Sequence, residues 1–308
     1  MVFQGCADTH EDRRLSTVSV QYQSQSKPYS GYTACADSLA HDLELTHVGP
    51  STPTGELMRR FWQPVCLSSQ LSDLPVAIRI LGEDLVAFRD KRGRPGVLHR
   101  HCSHRGTSLE YGIVSERGIR CCYHGWMFDV DGTILETPGE PPHSKLKDNL
   151  RHGAYPALEY KGLLFAYLGP PDEQPEFPIL DTFEMPGNEM IPYCVWYPCN
   201  WLQVHENIVD PVHAYFLHST MSTVQFSDAW AEMPTLDWEE TPDDQGVYYI
   251  TVRRIEDRVW VRSSHVWLPN IGQIGGLLEK AEKEKSFNRV SITRWTVPID
   301  DTHCWIMG

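Results

Sequence analysis

The chain has 308 residues, with 27 Lys and Arg against 41 Asp and Glu, a formal net charge of −14. A surface that acidic repels phosphate backbones and anionic lipid, so neither nucleic acid nor a membrane is expected as a partner. No apolar run approaches the roughly 18 residues of a membrane span, the start has no apolar core of a secretion signal, and nine cysteines, an odd number, suit a reducing cytoplasm.

Length favours two domains. Residues 1–41 are polar, rich in Ser, Tyr and Gln, and without sustained periodicity; they read as a disordered extension or a mis-assigned start. Thr52-Pro53 then opens a short helix, since proline is preorganised for the first helical position. A first domain is expected over 42–168. It includes a hairpin of 85–88 and 97–99 around the turn 90–93, then Asp131-Gly132 as a second hairpin turn leading into a strand at 133–136. The run Gly169-Pro170-Pro171-Asp172-Glu173-Gln174-Pro175 begins a linker, placed at 169–184, and a second domain follows over 185–308. There, 247–252, 259–262, 265–268 and 290–296 read as strands and 201–218 as a helix, while 277–285 is a charged helix candidate with a solvated face. Pattern alone assigns this half to the α+β class.

Two short motifs carry chemistry. Cys102-Ser103-His104 and Cys121-Cys122-Tyr123-His124 are separated by sixteen residues, and each lies at the tip of an expected hairpin. Each can offer one thiolate and one imidazole. Two thiolates on one iron and two imidazoles on the other is the ligation of a Rieske [2Fe–2S] centre. Four such ligands also suit tetrahedral zinc, although the hairpin flanks, with His-Arg-Gly after one pair and His-Gly-Trp after the other, favour the cluster. Spacing selects Cys121 as ligand and leaves Cys122 to pack at the loop base.

The second motif is Asp210-Pro211-Val212-His213-Ala214-Tyr215-Phe216-Leu217-His218, D-x2-H-x4-H. Many chains carry this pattern by chance, but its position after a cluster module offers His213 and His218 as two neutral ligands for a ferrous ion, with one carboxylate completing a facial triad and leaving positions open for O2 and substrate. Residues five apart lie about 140° apart around a regular α-helix. The assignment therefore requires irregular helix geometry between Asp210 and His218, a π-bulge or a helix end, and Pro211 already disturbs the ladder.

From about His41 onward the chain resembles the oxygenase component of Rieske non-haem iron aromatic-ring-hydroxylating systems, nearest the phthalate-dioxygenase-like branch built of α subunits only. Carrying the resemblance are Thr52-Pro53-Thr54-Gly55-Glu56-Leu57, Leu81-Gly82-Glu83-Asp84-Leu85-Val86, the Cys102–Arg105 and Cys121–Trp126 loops, and Val297-Pro298-Ile299-Asp300-Asp301-Thr302-His303. Respiratory Rieske proteins carry extra cysteines where this chain has Thr107 and Tyr123, and a serine in place of Trp126. Losing that cross-link and those hydrogen bonds places the potential at the lower end for such clusters.

The resemblance implies an all-β Rieske domain followed by a helix-grip catalytic domain, with an antiparallel sheet wrapped around the 201–218 helix. It also implies Cys102, His104, Cys121 and His124 on the cluster, and His213 and His218 on the mononuclear iron. Asp210 would be a buried carboxylate linking an iron histidine to a cluster histidine of a neighbouring protomer in a homotrimer, and Asn207 a supporting polar group; a plain helix-start carboxylate is the alternative for Asp210. Glu206 reads as structural, and His205, His265 and His303 as ordinary core or surface histidines. A flavin and iron–sulfur reductase would donate electrons, and O2 and an aromatic substrate, by kinship an aromatic acid, would be consumed. Arg253, Arg254, Arg258, Arg262, Arg289 and Arg294 are the pool for a substrate-carboxylate clamp.

One departure stands out. The family's third iron ligand is an aspartate well beyond 298–303, and neither Asp300 nor Asp301 matches it. The chain stops at Gly308 in apparent mid-strand, so either the polypeptide continues or a truncated form carries a two-histidine site with an exposed sheet edge. An electron-transfer protein and a non-catalytic homologue are the alternatives to an oxygenase.

Overall fold

Thr52 caps the first long helix as the Thr-Pro pair requires: its hydroxyl accepts the Gly55 N–H at 3.2 Å, and Pro53 starts Pro53–Arg59. The structure is a computed structural model and describes residues 41–220, 228–242, 244–276 and 290–308. The expected disordered extension lies outside those residues apart from His41, and the 277–285 helix candidate and Arg289 lie wholly outside them.

Three antiparallel sheets make up the first half. Val76–Ile80, Glu83–Arg89, Pro95–His99 and Ala154–Tyr155 form one; Gln63–Leu67, Leu163–Ala166 and Ala157–Tyr160 a second; Ile113–Val114, Ile119–Arg120, Met127–Phe128 and Ile134–Glu136 a third. The predicted hairpin is present in register, Leu85 opposite His99 and Phe88 opposite Gly96. Its neighbour turns at Leu81-Gly82, both with positive φ (51° and 79°), as a two-residue turn matched to strand twist demands. The small sheet is held to the hairpin by charge: Arg94 bridges Asp90 and Asp129, each at 2.7 Å, and Arg117 reaches Asp129 at 2.6 Å. Burial alone would raise both aspartates, but backbone N–H donors and the arginines outweigh it and hold both carboxyls below the usual range.

The second half is one seven-stranded antiparallel sheet. Its order is Cys194–Tyr197, His303–Met307, Val290–Asp300, Ile271–Gly275, Arg258–Trp267, Gly246–Ile255, Thr235–Glu240. Two departures from expectation have clear causes. Ser263-Ser264 does not end a strand: Ser264 is fully buried on the inner face, and alternation carries Arg258–Trp267 straight through. Nor is the last strand an edge. Cys194–Tyr197, from before the helix, pairs with it and leaves itself and Thr235–Glu240 outermost, with Trp196 and Trp238 exposed.

Asp42–Gly308 is one compact unit. A hydrophobic core runs from Met58, Trp62 and Phe165 to Trp295, Val297 and Ile306, with Phe165 edge-on to Trp295 at 5.3 Å. Each such side chain contributes roughly 1.5–3 kcal/mol by burial. The proline-rich stretch 169–184 is anchored on that core, its Phe177 ring 5.0 Å from Phe165 and 5.7 Å from Trp62. Further ties are the Leu81 and Gly82 N–H groups, which donate to the carbonyls of Pro298 and Ile299.

Candidate functional site

The two cysteine loops are built alike. Cys102 N–H donates to the Thr107 carbonyl (2.9 Å) and Gly106 N–H returns to the Cys102 carbonyl (2.8 Å). In the second loop Cys121 N–H donates to Trp126 (2.8 Å) and Gly125 N–H to Cys121 (3.1 Å). Gly106 and Gly125 have φ of 73° and 74°, the left-handed corner that closes each loop. The shared pattern makes Cys121 the counterpart of Cys102. Both are buried and the two thiols influence one another electrostatically, whereas Cys122 is exposed rather than packed at the loop base.

Leu109, Ile119, Phe128 and Leu98 surround the two cysteines in a core of their own. Burial pushes the Cys102 thiol up to about 11. Binding of a metal centre there would therefore expel protons as well as bury charge. At the loop tips the His104 and His124 rings lie 4.7 Å apart, and His104 stacks flat on Trp126 at 4.8 Å. Thiols at the base and imidazoles at the tip form two pairs. Among the described residues no group of three or more such side chains gathers about one point. Two sulfur donors and two nitrogen donors in that division suit a binuclear cluster.

The 201–218 segment is broken where chemistry asked for it. An α-turn at Trp201–Glu206 passes into a 3-10 turn at Asn207–Val209 and breaks at Asp210 (φ −108°, ψ 88°), since a residue before proline avoids the α region. Pro211–Tyr215 resumes the helix, and a π-turn spans Phe216–Thr220. The widened turn brings the His218 ring to 5.5 Å from His213. Ile208 packs against Gly272, so the helical segment lies over the inner face of the sheet.

Asp210 does two things. Its Oδ1 accepts the Val212 and His213 N–H groups (3.0 and 3.3 Å), capping the helix, while Oδ2 stands 3.6 Å from His213 Nδ1. That Nδ1 is sequestered without a hydrogen bond, and burial lowers the basicity of the ring, partly offset by Asp210. In a single chain the Asp210 side chain is 53 % exposed. Asn207 and Glu206 are exposed and make no side-chain hydrogen bond among the described residues. His205 is buried with both ring nitrogens unpartnered, and burial beside Arg294 depresses it to about 4. Sequence reading missed Trp230, which packs with Ala214 next to His213; no motif marks it, and only tertiary packing brings it there.

Residues 61–154 match the family model for the Rieske [2Fe–2S] domain. The chain is 50 % identical to the tert-butanol monooxygenase / tert-amyl alcohol desaturase oxygenase subunit of Aquincola tertiaricarbonis, over 92 % of this chain and 63 % of that protein. It is 45 % identical to the phenoxybenzoate dioxygenase α subunit of Ectopseudomonas oleovorans, over 85 % and 66 % respectively. The chain thus spans just under two thirds of these relatives' length. In fold it is similar to dicamba monooxygenase bound to 3,6-dichlorosalicylic acid, with TM-score 0.66 at 20 % identity over 81 % of this chain and 76 % of that one. The chain carries a Rieske [2Fe–2S] domain, which implies the cluster, and is a homologue of the oxygenase subunits of Rieske ring-hydroxylating systems.

Proposed function

We propose that the chain works as an oxygenase component that receives electrons from a flavin and iron–sulfur reductase and uses O2 to hydroxylate or dealkylate an aromatic or related substrate. Residues 42–168 act as the cluster module and 185–308 as the iron module. The observation that carries this reading is the π-turn: it gives His213 and His218 a common side, in a chain that also holds paired Cys/His loops. Once bound, the two metal groups supply electron storage and O2 activation respectively.

The chain's own residues do the rest. Cys102 and Cys121 take their centre in a dry base, and His104 and His124 present its imidazole side towards the surface. Asp210 Oδ2 favours the His213 tautomer with hydrogen on Nδ1, leaving Nε2 free as a donor atom. The exposed remainder of that carboxylate is available to a cluster histidine of a neighbouring copy in the proposed homotrimer. A third iron ligand is not assigned. No helix among the described residues is long and apolar enough to cross a membrane, in keeping with action in the cytoplasm.

The test is O2 uptake by the iron-loaded chain with a compatible reductase and NADH, with and without benzoate and substituted aromatic acids. Substrate-dependent uptake is expected. A reducible cluster with no uptake on any such compound would instead assign the chain to electron transfer.

A further inference from the structure

The large sheet has a second face, turned away from the helical segment, and that face carries a cleft. Gly272, on which Ile208 packs, stands opposite Val266 and Arg294, so these three positions face the helix. Alternation sends His265, Trp267 and Gln273 to the other side, together with Tyr248, the cross-strand partner of His265. There Thr241, Pro242, Tyr248, His265 and Trp267 line a space of about 400 Å³, within the range of small-molecule sites.

Three rings make its floor. The Tyr248 and His265 centroids are 5.6 Å apart, and His265 lies 5.9 Å from Trp267. Trp267 stands opposite Gly246, so no side chain fills the place across from its indole, and the cleft opens there. Two of the rings are held by hydrogen bonds. Trp267 Nε1–H donates to Gln273 Oε1 at 3.3 Å, and the Tyr248 hydroxyl donates to the Glu239 carboxylate.

Carboxylates stand on both sides of this floor. Glu239 is the cross-strand partner of Tyr248, Asp237 lies two residues earlier on the same face, and both are exposed. On the other side runs the 169–184 stretch. Its Phe183 ring lies 6.2 Å from Trp295, the end of the cross-strand row Trp267–Ile271–Trp295, and the charge of Asp181 reaches His265. Burial outweighs that charge and lowers the basicity of His265, which leaves an uncharged ring at neutral pH and no rival cation in the floor. Ring faces flanked by carboxylates attract a cation and repel an anion, and the net charge of −14 acts in the same sense.

We infer that this cleft binds a small organic ammonium ion, its charge over the Tyr248, His265 and Trp267 rings and Glu239 as its counter-charge. The site lies across the sheet from the face that the helical segment covers, and the inference does not rest on the oxygenase reading.

Calorimetric titration of the iron-loaded chain with choline and with 3,3-dimethylbutan-1-ol, its uncharged carbon isostere, separates charge from shape. Wild type is expected to bind choline about tenfold or more tightly than the alcohol. Trp267→Leu and Tyr248→Leu should each weaken choline binding about tenfold, while Trp267→Phe, which keeps a ring, should retain most of it. Glu239→Gln keeps an acceptor for the Tyr248 hydroxyl and loses the charge, so it should weaken choline about threefold. His213→Ala should leave choline affinity unchanged. Absence of choline binding at millimolar concentration, equal binding of the two probes, binding that survives both leucine variants, or its loss in His213→Ala overturns the inference. Should a leucine variant fail to fold by circular dichroism, the wild-type ratio and Glu239→Gln still decide.

Discussion

The cysteine loops and the histidine helix solve the same problem, bringing together side chains of a kind that can hold a metal, at very different sequence range. In the loops every positioning contact is local: four backbone hydrogen bonds close two turns of five residues' reach, and a glycine with φ near 73° makes each corner. In the helix the same task needs a proline break, a π-turn, and a sheet whose inner face is assembled from strands far along the chain. The loops therefore position their side chains almost unaided, while the histidine pair depends on packing that a short motif does not record.

Substitutions in the loops probe this contrast most strongly. Cys121→Ser should cut cluster content by about tenfold or more, read from the visible absorbance of the oxidised centre, while the exposed Cys122→Ser leaves it intact. Equal losses in both would place the ligand elsewhere. On the helix side, Asp210→Asn should lower substrate-dependent O2 uptake by about 100-fold with both metals still bound, because asparagine keeps the helix cap and loses the charge. Turnover close to wild type would reduce Asp210 to a cap.

Smaller effects are expected in the scaffold under the loops. The Asp90 and Asp129 carboxyls are lowered in the folded chain, so their stabilisation is complete above the ordinary aspartate value of 3.8 and drains away as pH falls through the lower folded value. Asp129→Asn should cost about 1–3 kcal/mol near neutral pH and flatten the acid limb of a Tm-against-pH curve. A curve parallel to wild type would mean that the Arg94 and Arg117 contacts contribute nothing. Least of all, Gly106→Ala should cost about 1 kcal/mol from backbone strain alone, since its corner opens onto free space. By contrast, a Cβ at Gly118 would run into the Phe128 carbonyl, and Gly118→Ala should lower Tm further than Gly106→Ala.

Legibility in the sequence divides along the same line. The 85–99 hairpin, both loops and the need for an irregular helix could be read directly, because turn residues and ligand spacing are short-range signals. The strand Ile271–Gly275 carried no such signal, being glycine-rich and dependent on its flanking strands, whereas His303–Met307 is the strand expected to run up to Gly308. Ser263-Ser264 imitated a turn because small polar residues also suit a buried inner face. Composition marked 169–184 as linker, yet Phe177 and Phe183 fasten it to the core. Six arginines formed an undivided pool until alternation across paired strands separated Arg253 and Arg262 from Arg254.

A cluster in the loops serving an iron at the broken helix is the arrangement on which the whole functional reading depends. It is checked by iron per chain, measured together with the electron paramagnetic resonance of the reduced protein, in wild type and His213→Ala. About three irons should fall to about two, with the Rieske signal unchanged. Iron content unaltered by the substitution, or loss of the cluster signal along with it, would contradict that arrangement.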